Sequence, residues 1–73
     1  MKTSEIRDLD SATLLEQVEA KRQELFNLRI QWFSGSLDNP QQLRIVRKDI
    51  ARMLTVVRER ELAAALIEGE GNG

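Results

Sequence analysis

Residues 34 to 40, Ser34-Gly35-Ser36-Leu37-Asp38-Asn39-Pro40, hold the only proline of the chain and the only glycine ahead of its last five residues. Turn formers clustered this tightly mark one break, and on either side run long stretches with helical periodicity. The first stretch begins after Asp10, a good N-cap residue, and covers about residues 11 to 33. The second takes Asn39 as N-cap, Pro40 at a position where its missing donor costs nothing and Gln42 placed to close a capping box; it covers about 40 to 67, where Gly69 ends it. A turn over 34–39 forces two such helices to run antiparallel, so the fold class is all-α, a long two-helix hairpin. At 1.5 Å per residue the helices measure about 34 and about 42 Å, so the second overhangs the first. Residues 3 to 9, with Thr3 or Ser4 as cap, read as a short N-terminal helix whose Ile6 and Leu9 cover the overhang around Leu62 and Leu66. The single domain is then 1–68, and 69–73, Gly-Glu-Gly-Asn-Gly, is a flexible tail with nothing to bury.

The helical period also sorts the faces. Stepping about 100° per residue from Leu43, the apolar residues Val46, Ile50, Met53, Leu54 and Val57 share an arc from about 280° to 20°. Arg47, Arg58, Arg44, Lys48 and Arg52 follow on the flank from about 40° to 180°, together with Ala51 and Thr55 and a single acid, Glu59. On the first helix, counted from Leu14, the apolar set Leu28, Leu14, Trp32, Leu25, Val18, Phe33, Leu15 and Phe26 spans about −40° to 120°. That is wider than one partner helix needs. Lys21, Arg29 and Arg22 lie inside this arc, either snorkelling along the seam to pair with Asp49 or Glu61, or reaching the ligand of the second helix. Trp32 and Phe33 beside the turn read first as a plug for that end of the hairpin, and otherwise as a base-stacking platform or a protein contact. Gly35 reads as a turn residue with positive φ.

The net charge of −1 conceals a strong asymmetry. Residues 1–20 and 61–73 each carry −3, and residues 21–60 carry nine basic groups against four acids. Within 44–60, six Lys/Arg stand against two acids. A helix with one seam for a partner and one flank of a single sign reads as a docking element for nucleic acid.

Other classes fall away. Seventy-three residues make one small domain without room for a buried catalytic cleft. With no Cys and no His there is no thiolate or imidazole nucleophile, no disulfide and no ordinary zinc site, so neither metal nor cofactor nor catalysis is expected. No apolar run is long enough to span a bilayer, and the N-terminal residues lack a signal-peptide core, which points to the cytoplasm.

The run Glu24-Leu25-Phe26-Asn27-Leu28-Arg29-Ile30-Gln31, then Ser34-Gly35-Ser36-Leu37, then Val46-Arg47-Lys48-Asp49-Ile50-Ala51-Arg52 with Thr55, closely resembles the bacterial large-subunit ribosomal proteins of the L-twenty-nine family. The opening Glu5-Ile6-Arg7 with Leu14 fits as well, and the resemblance runs without gaps from about Lys2 to Leu62. The ending Val56-Val57-Arg58-Glu59-Arg60-Glu61-Leu62 looks like the forms of high-GC Gram-positive bacteria. The resemblance implies a helical hairpin, monomeric when free, that lies on large-subunit ribosomal RNA near the polypeptide exit tunnel. It implies a neighbour of the L-twenty-three family, in a region where nascent-chain factors dock. By position, Arg47-Lys48 and Ile50-Ala51-Arg52 are the family's signature on the second helix, with Asn27 and Arg29 their counterpart on the first.

The expectation is therefore a structural, RNA-bracing constituent of the large ribosomal subunit, with Arg29, Arg44, Arg47, Lys48, Arg52, Thr55 and Arg58 as the RNA-binding set and no membrane partner. The competing expectation is a self-associating coiled-coil adaptor, since the spacing 43, 46, 50, 53, 57 is heptad-like. A zipper needs neither a one-sign flank nor a Gly-Pro break in its middle.

Overall fold

A computed structural model describes the backbone of residues 1–72 and the side chains of residues 1–67. The order is α1 (Thr3–Arg7), α2 (Ser11–Ser34) and α3 (Gln41–Asn72), with no strand among the described residues. The hairpin is a rod of 56 × 21 × 17 Å.

The turn explains itself atom by atom. At the end of α2 the Gly35 amide donates to Trp32 O at 3.2 Å and the Ser36 amide to Gln31 O at 2.9 Å, a Schellman arrangement with Gly35 at φ 77°. The Ser34 hydroxyl donates to the Gln31 carbonyl as well. At the start of α3 the Asn39 side-chain oxygen accepts from the Gln41 amide at 3.0 Å. Pro40 stays in the turn, one residue outside the helix, and the cap rests on Asn39 alone, since Gln42 makes no return bond.

Two apolar clusters fill the seam. Near the turn, Leu28 packs with Val46 and Ile50, flanked by Leu25, Leu37 and Leu43. Farther along, Ile6, Leu14, Val18, Met53 and Val56 form the larger cluster with Met1, Leu9 and Val57 at its rim. Between them lies a polar junction at Asp49, only 4 % exposed.

The short helix departs from expectation in length and place. It ends at Arg7, its N-cap position is Lys2 with Thr3 inside the helix, and the Glu5 carboxylate accepts the Lys2 amide at 3.3 Å. Instead of continuing over the overhang, α1 doubles back along α3, Met1 lying near Asp49 and Arg52, and Arg7 near Glu59 and Arg60. Ile6 and Leu9 thus cover Met53 and Val56, while Leu62 and Leu66 stay exposed. Arg60 holds this geometry by donating to the carbonyls of Arg7 (3.1 Å) and Leu9 (2.6 Å) and to the Ser11 hydroxyl (3.4 Å). Because α1 occupies that side, the buried arc of α3 is rotated by about 40° toward Asp49 and Val56, leaving Leu54 at its solvent edge.

Two further expectations are corrected. Gly69 does not stop α3, whose backbone stays helical through Asn72; each helical glycine costs only about 1 kcal/mol relative to alanine and lacks the steric block of proline. Residues 69–72 of the expected tail are part of the α3 backbone helix, and Gly73 lies outside the described residues. Trp32 and Phe33 do not plug the turn: α2 runs on to Ser34, which leaves Trp32 53 % and Phe33 87 % exposed, and Leu37 closes that end with Leu25 and Leu43.

Candidate nucleic-acid interface

The flank of α3 opposite its seam is solvent-facing along its length. Arg44, Arg47, Lys48, Arg52, Thr55 and Arg58 are all exposed, as is Ala51 among them. Arg44, Arg47 and Lys48 come together with Ala51, Leu43 and Pro40 around an open groove of about 650 Å³. Three cations thus share one open groove next to the turn with Pro40, Leu43 and the small Ala51. Arg52, Thr55 and Arg58 continue the flank beyond this groove rather than lining it.

Each member has its own state. The Arg52 guanidinium donates to the Met1 carbonyl at 3.0 Å, which fixes its direction at the edge where α1 begins. Thr55 gives its hydroxyl proton to the Ala51 carbonyl at 2.8 Å, so its oxygen is left as an acceptor and its main offering is small size. Arg29 is exposed on α2 and stands apart from the groove. On α2 it lies about 60° from Leu14, on the other side of the seam from Lys21. In an antiparallel pair that edge of α2 meets the edge of α3 that carries Arg47, so Arg29 borders the flank from the neighbouring helix.

The remaining basic residues of α2 divide. Lys21 sits in the seam between the two clusters, with Nζ 3.3 Å from Glu24 and 3.9 Å from Asp49, which is the snorkelling arrangement. Arg22 pairs with Glu19 on the exposed face at 3.7 Å. Glu61 takes no part in these pairs among the described residues. The acids therefore sit elsewhere: Asp49 is buried behind the seam, and Glu59, at the far edge of the flank, is bonded to Arg7 at 3.3 Å. Of the two acids inside 44–60, neither neutralises the groove.

Two features escaped the sequence reading. One is the burial of Asp49, whose nearest cation is the Met1 α-ammonium at 2.9 Å, a contact no periodicity records. The other is an outward apolar stripe on α2, Phe26, Ile30 and Phe33, all at least half exposed at i, i+4, i+7 spacing. The excess width of the α2 apolar arc was its signal.

At the start of α2, Asp10 holds the cap position without its carboxylate accepting a hydrogen bond of strict geometry. The Thr13 hydroxyl, joined by the amides of Thr13, Asp10 and Ala12, still holds this carboxyl below its ordinary 3.8. Among the described residues no group of carboxylates is placed to hold a metal ion, and no helix is long and apolar enough to cross a membrane.

A rigid helical rod with an apolar seam and an exposed one-sign basic flank defines a class: small all-α proteins that present a cationic face to solvent. Residues 4–60 match the family model described as "Ribosomal L29 protein", and the chain belongs to that family. It is 55 % identical over 64 residues to a "Large ribosomal subunit protein uL29" of Geobacillus stearothermophilus, covering 88 % of this chain and 97 % of the relative. A protein of the same name from Carboxydothermus hydrogenoformans is 48 % identical over 68 residues, 93 % of this chain and 99 % of the relative. One from Bacillus cytotoxicus is 56 % identical over 62 residues, 85 % and 94 % respectively. The family is one of structural proteins and not of enzymes.

Proposed function

We propose that the chain is a structural constituent of the large ribosomal subunit in the cytoplasm, and that it braces ribosomal RNA with the α3 flank near the polypeptide exit tunnel. The observation that carries the RNA face is the run of exposed cations Arg44, Arg47, Lys48, Arg52 and Arg58 on one side of a single rigid helix, bordered by Arg29. Phosphates are recognised there by charge and by the close approach that Ala51 and Thr55 permit. Base edges are not read, because a helix lying on folded RNA meets backbone first. The apolar stripe of Phe26, Ile30 and Phe33 on the outer face of α2 is the side offered to a protein, and the family resemblance makes that neighbour a member of the L-twenty-three family, with nascent-chain factors close by.

The free chain is a monomer in this reading. Its heptad-like seam is taken up by α2 and α1, which argues against a second copy pairing along that seam as the coiled-coil adaptor would need. The test is site-specific photo-crosslinking from a tagged copy incorporated into large subunits. A crosslinker at Arg47 yields RNA adducts and one at Phe33 yields protein adducts. Protein-only adducts from Arg47, or failure of the tagged chain to sediment with large subunits, overturns the proposal.

A further inference from the structure

Leu43, Ile50 and Val57 follow one another at heptad spacing along the seam of α3, and the next place in that series is Ala64. A methyl group does not fill the space that a leucine or valine fills. Where α2 begins, a groove of about 300 Å³ therefore stays open between Leu14 and Leu15 of that helix and Val57, Arg60, Glu61 and Ala64 of α3. Leu15, at its lip, is 54 % exposed. Beyond Arg60 every described side chain of α3, from Glu61 to Ile67, is exposed, and the six from Leu62 onward are all apolar.

The polar groups of the groove are not equivalent. Arg60 is committed to the carbonyls of Arg7 and Leu9 and to the Ser11 hydroxyl, whereas Glu61 takes part in no ion pair among the described residues. Asp8, Asp10 and Glu16 are exposed at the same end of the rod, and Arg7 is taken up by Glu59. An apolar groove edged by an uncompensated carboxylate disfavours phosphate and anionic lipid. It disfavours a second copy as well, since that copy brings the same sign to the contact. The complementary surface is apolar and cationic.

We propose that the groove under the α3 overhang docks a basic amphipathic helix of another protein, which seats its apolar side chains between Leu15 and Ala64 and sets a lysine or arginine against Glu61. The site uses neither the cations of the α3 flank nor the Phe26 stripe, so it stands apart from the RNA reading.

The experiment titrates the isotope-labelled full chain with a synthetic peptide of about 18 residues that carries leucine on one helical face and lysine on the other. Amide shifts gather at Ser11 to Leu15 and at Glu61 to Ala64, while those near Phe33 stay in place. Ala64→Trp fills the groove and Leu15→Ser removes its lip; both sites are exposed, so each variant melts within about 4 °C of the parent yet binds the peptide about tenfold more weakly. Glu61→Gln weakens binding about two- to fivefold. A peptide with glutamate in place of lysine, and one with serine in place of leucine, each bind at least about tenfold more weakly than the leucine–lysine peptide. Undiminished binding to either A64W or L15S overturns the proposal. So do equal binding of the serine–lysine peptide, which makes this end a plain acidic patch, and shifts centred on Phe26 and Phe33. Concentration-dependent dimerisation that A64W abolishes overturns it too, because the groove then belongs to a second copy.

Discussion

Met53 and Leu54 are neighbours of similar size and similar helix propensity, yet the structure puts them in opposite surroundings. Met53 is fully buried among Ile6, Leu14, Val18 and Val56, side chains drawn from all three helices, whereas Leu54 is 38 % exposed at the edge of the seam. Met53→Ala removes Cγ, Sδ and Cε from that enclosed site. Large-to-small changes of this kind cost about 2–5 kcal/mol, and in a rod only 17–21 Å across the rim residues Met1 and Leu9 settle partly into the space, which argues for about 2–3. Leu54→Ala deletes atoms that already meet water on one side and costs about 1 kcal/mol or less. Both changes end at alanine from good helix formers, so propensity cancels between them. For a domain of this size, 1 kcal/mol moves the melting point by about 4–8 °C, so M53A melts about 10–20 °C below the parent and L54A by about a third of that. Thermal unfolding followed by circular dichroism at 222 nm measures both. If L54A is the more damaging, the face of α3 in the seam is not the one described, and the docking of α1 on it fails with it.

Three further outcomes follow from single sites. Gly35→Ala meets no neighbouring atom but must adopt φ 77°, so it costs about 1–2 kcal/mol of backbone strain alone, seen as a melting point lower by several degrees; an unchanged value contradicts the left-handed cap. Asp10 has a lowered pKa in the folded chain, so its capping contribution is present above the ordinary 3.8 and is lost as pH falls through the lowered value. The melting-point difference between the parent and D10N therefore varies with pH only below about the ordinary 3.8, as pH falls toward the lowered value, and a difference that instead changes between pH 5 and 8 would refute the assignment. Phe33→Ser at an 87 % exposed site changes stability by no more than about 0.5 kcal/mol yet weakens incorporation into large subunits, while a large loss of stability would mean that Phe33 is a plug after all.

The hairpin was legible because its information is local. Ser34 to Pro40 carries its own turn chemistry, Asp10 and Asn39 their own caps, and the 3.6-residue period needs only composition along one helix. The placement of α1 was not, because it depends on atoms distant in sequence. Arg60 gathers the carbonyls of Arg7 and Leu9 some fifty residues away, and Asp49 meets a terminal amine that no side-chain pattern contains. Those contacts rotate the buried arc of α3, bring Val56 inside and leave Leu54 out. The end of α3 was misjudged for a different reason: Gly69 lowers helix propensity without forbidding the helix, and the backbone ladder carries on to Asn72. The basic flank survived this rotation, since the buried arc moved toward Asp49 and Val56, away from Arg47, and Arg44, Arg47 and Lys48 all stay exposed. Arg52 lies where α1 arrives, and there the sequence could not foresee that a cation on the flank also holds the Met1 carbonyl.

The central claim is that the flank of α3 is the RNA face, and the most direct test is the salt dependence of ribosomal RNA binding by a chain with Arg44, Arg47 and Lys48 all changed to Gln. These three converge on the open groove and are exposed, so folding is preserved, and Arg52 is left intact to keep Met1 in place. If each contacts a phosphate, the slope of log affinity against log salt flattens by about 0.7–0.9 per residue, about 2–3 in all, with weaker binding across RNA sequences. The control changes Glu16 and Glu19 to Gln on α2, away from the flank, and leaves affinity and slope nearly unchanged. Unchanged affinity and slope in the triple variant, with binding lost in the control, would place the docking face on α2 and contradict the account.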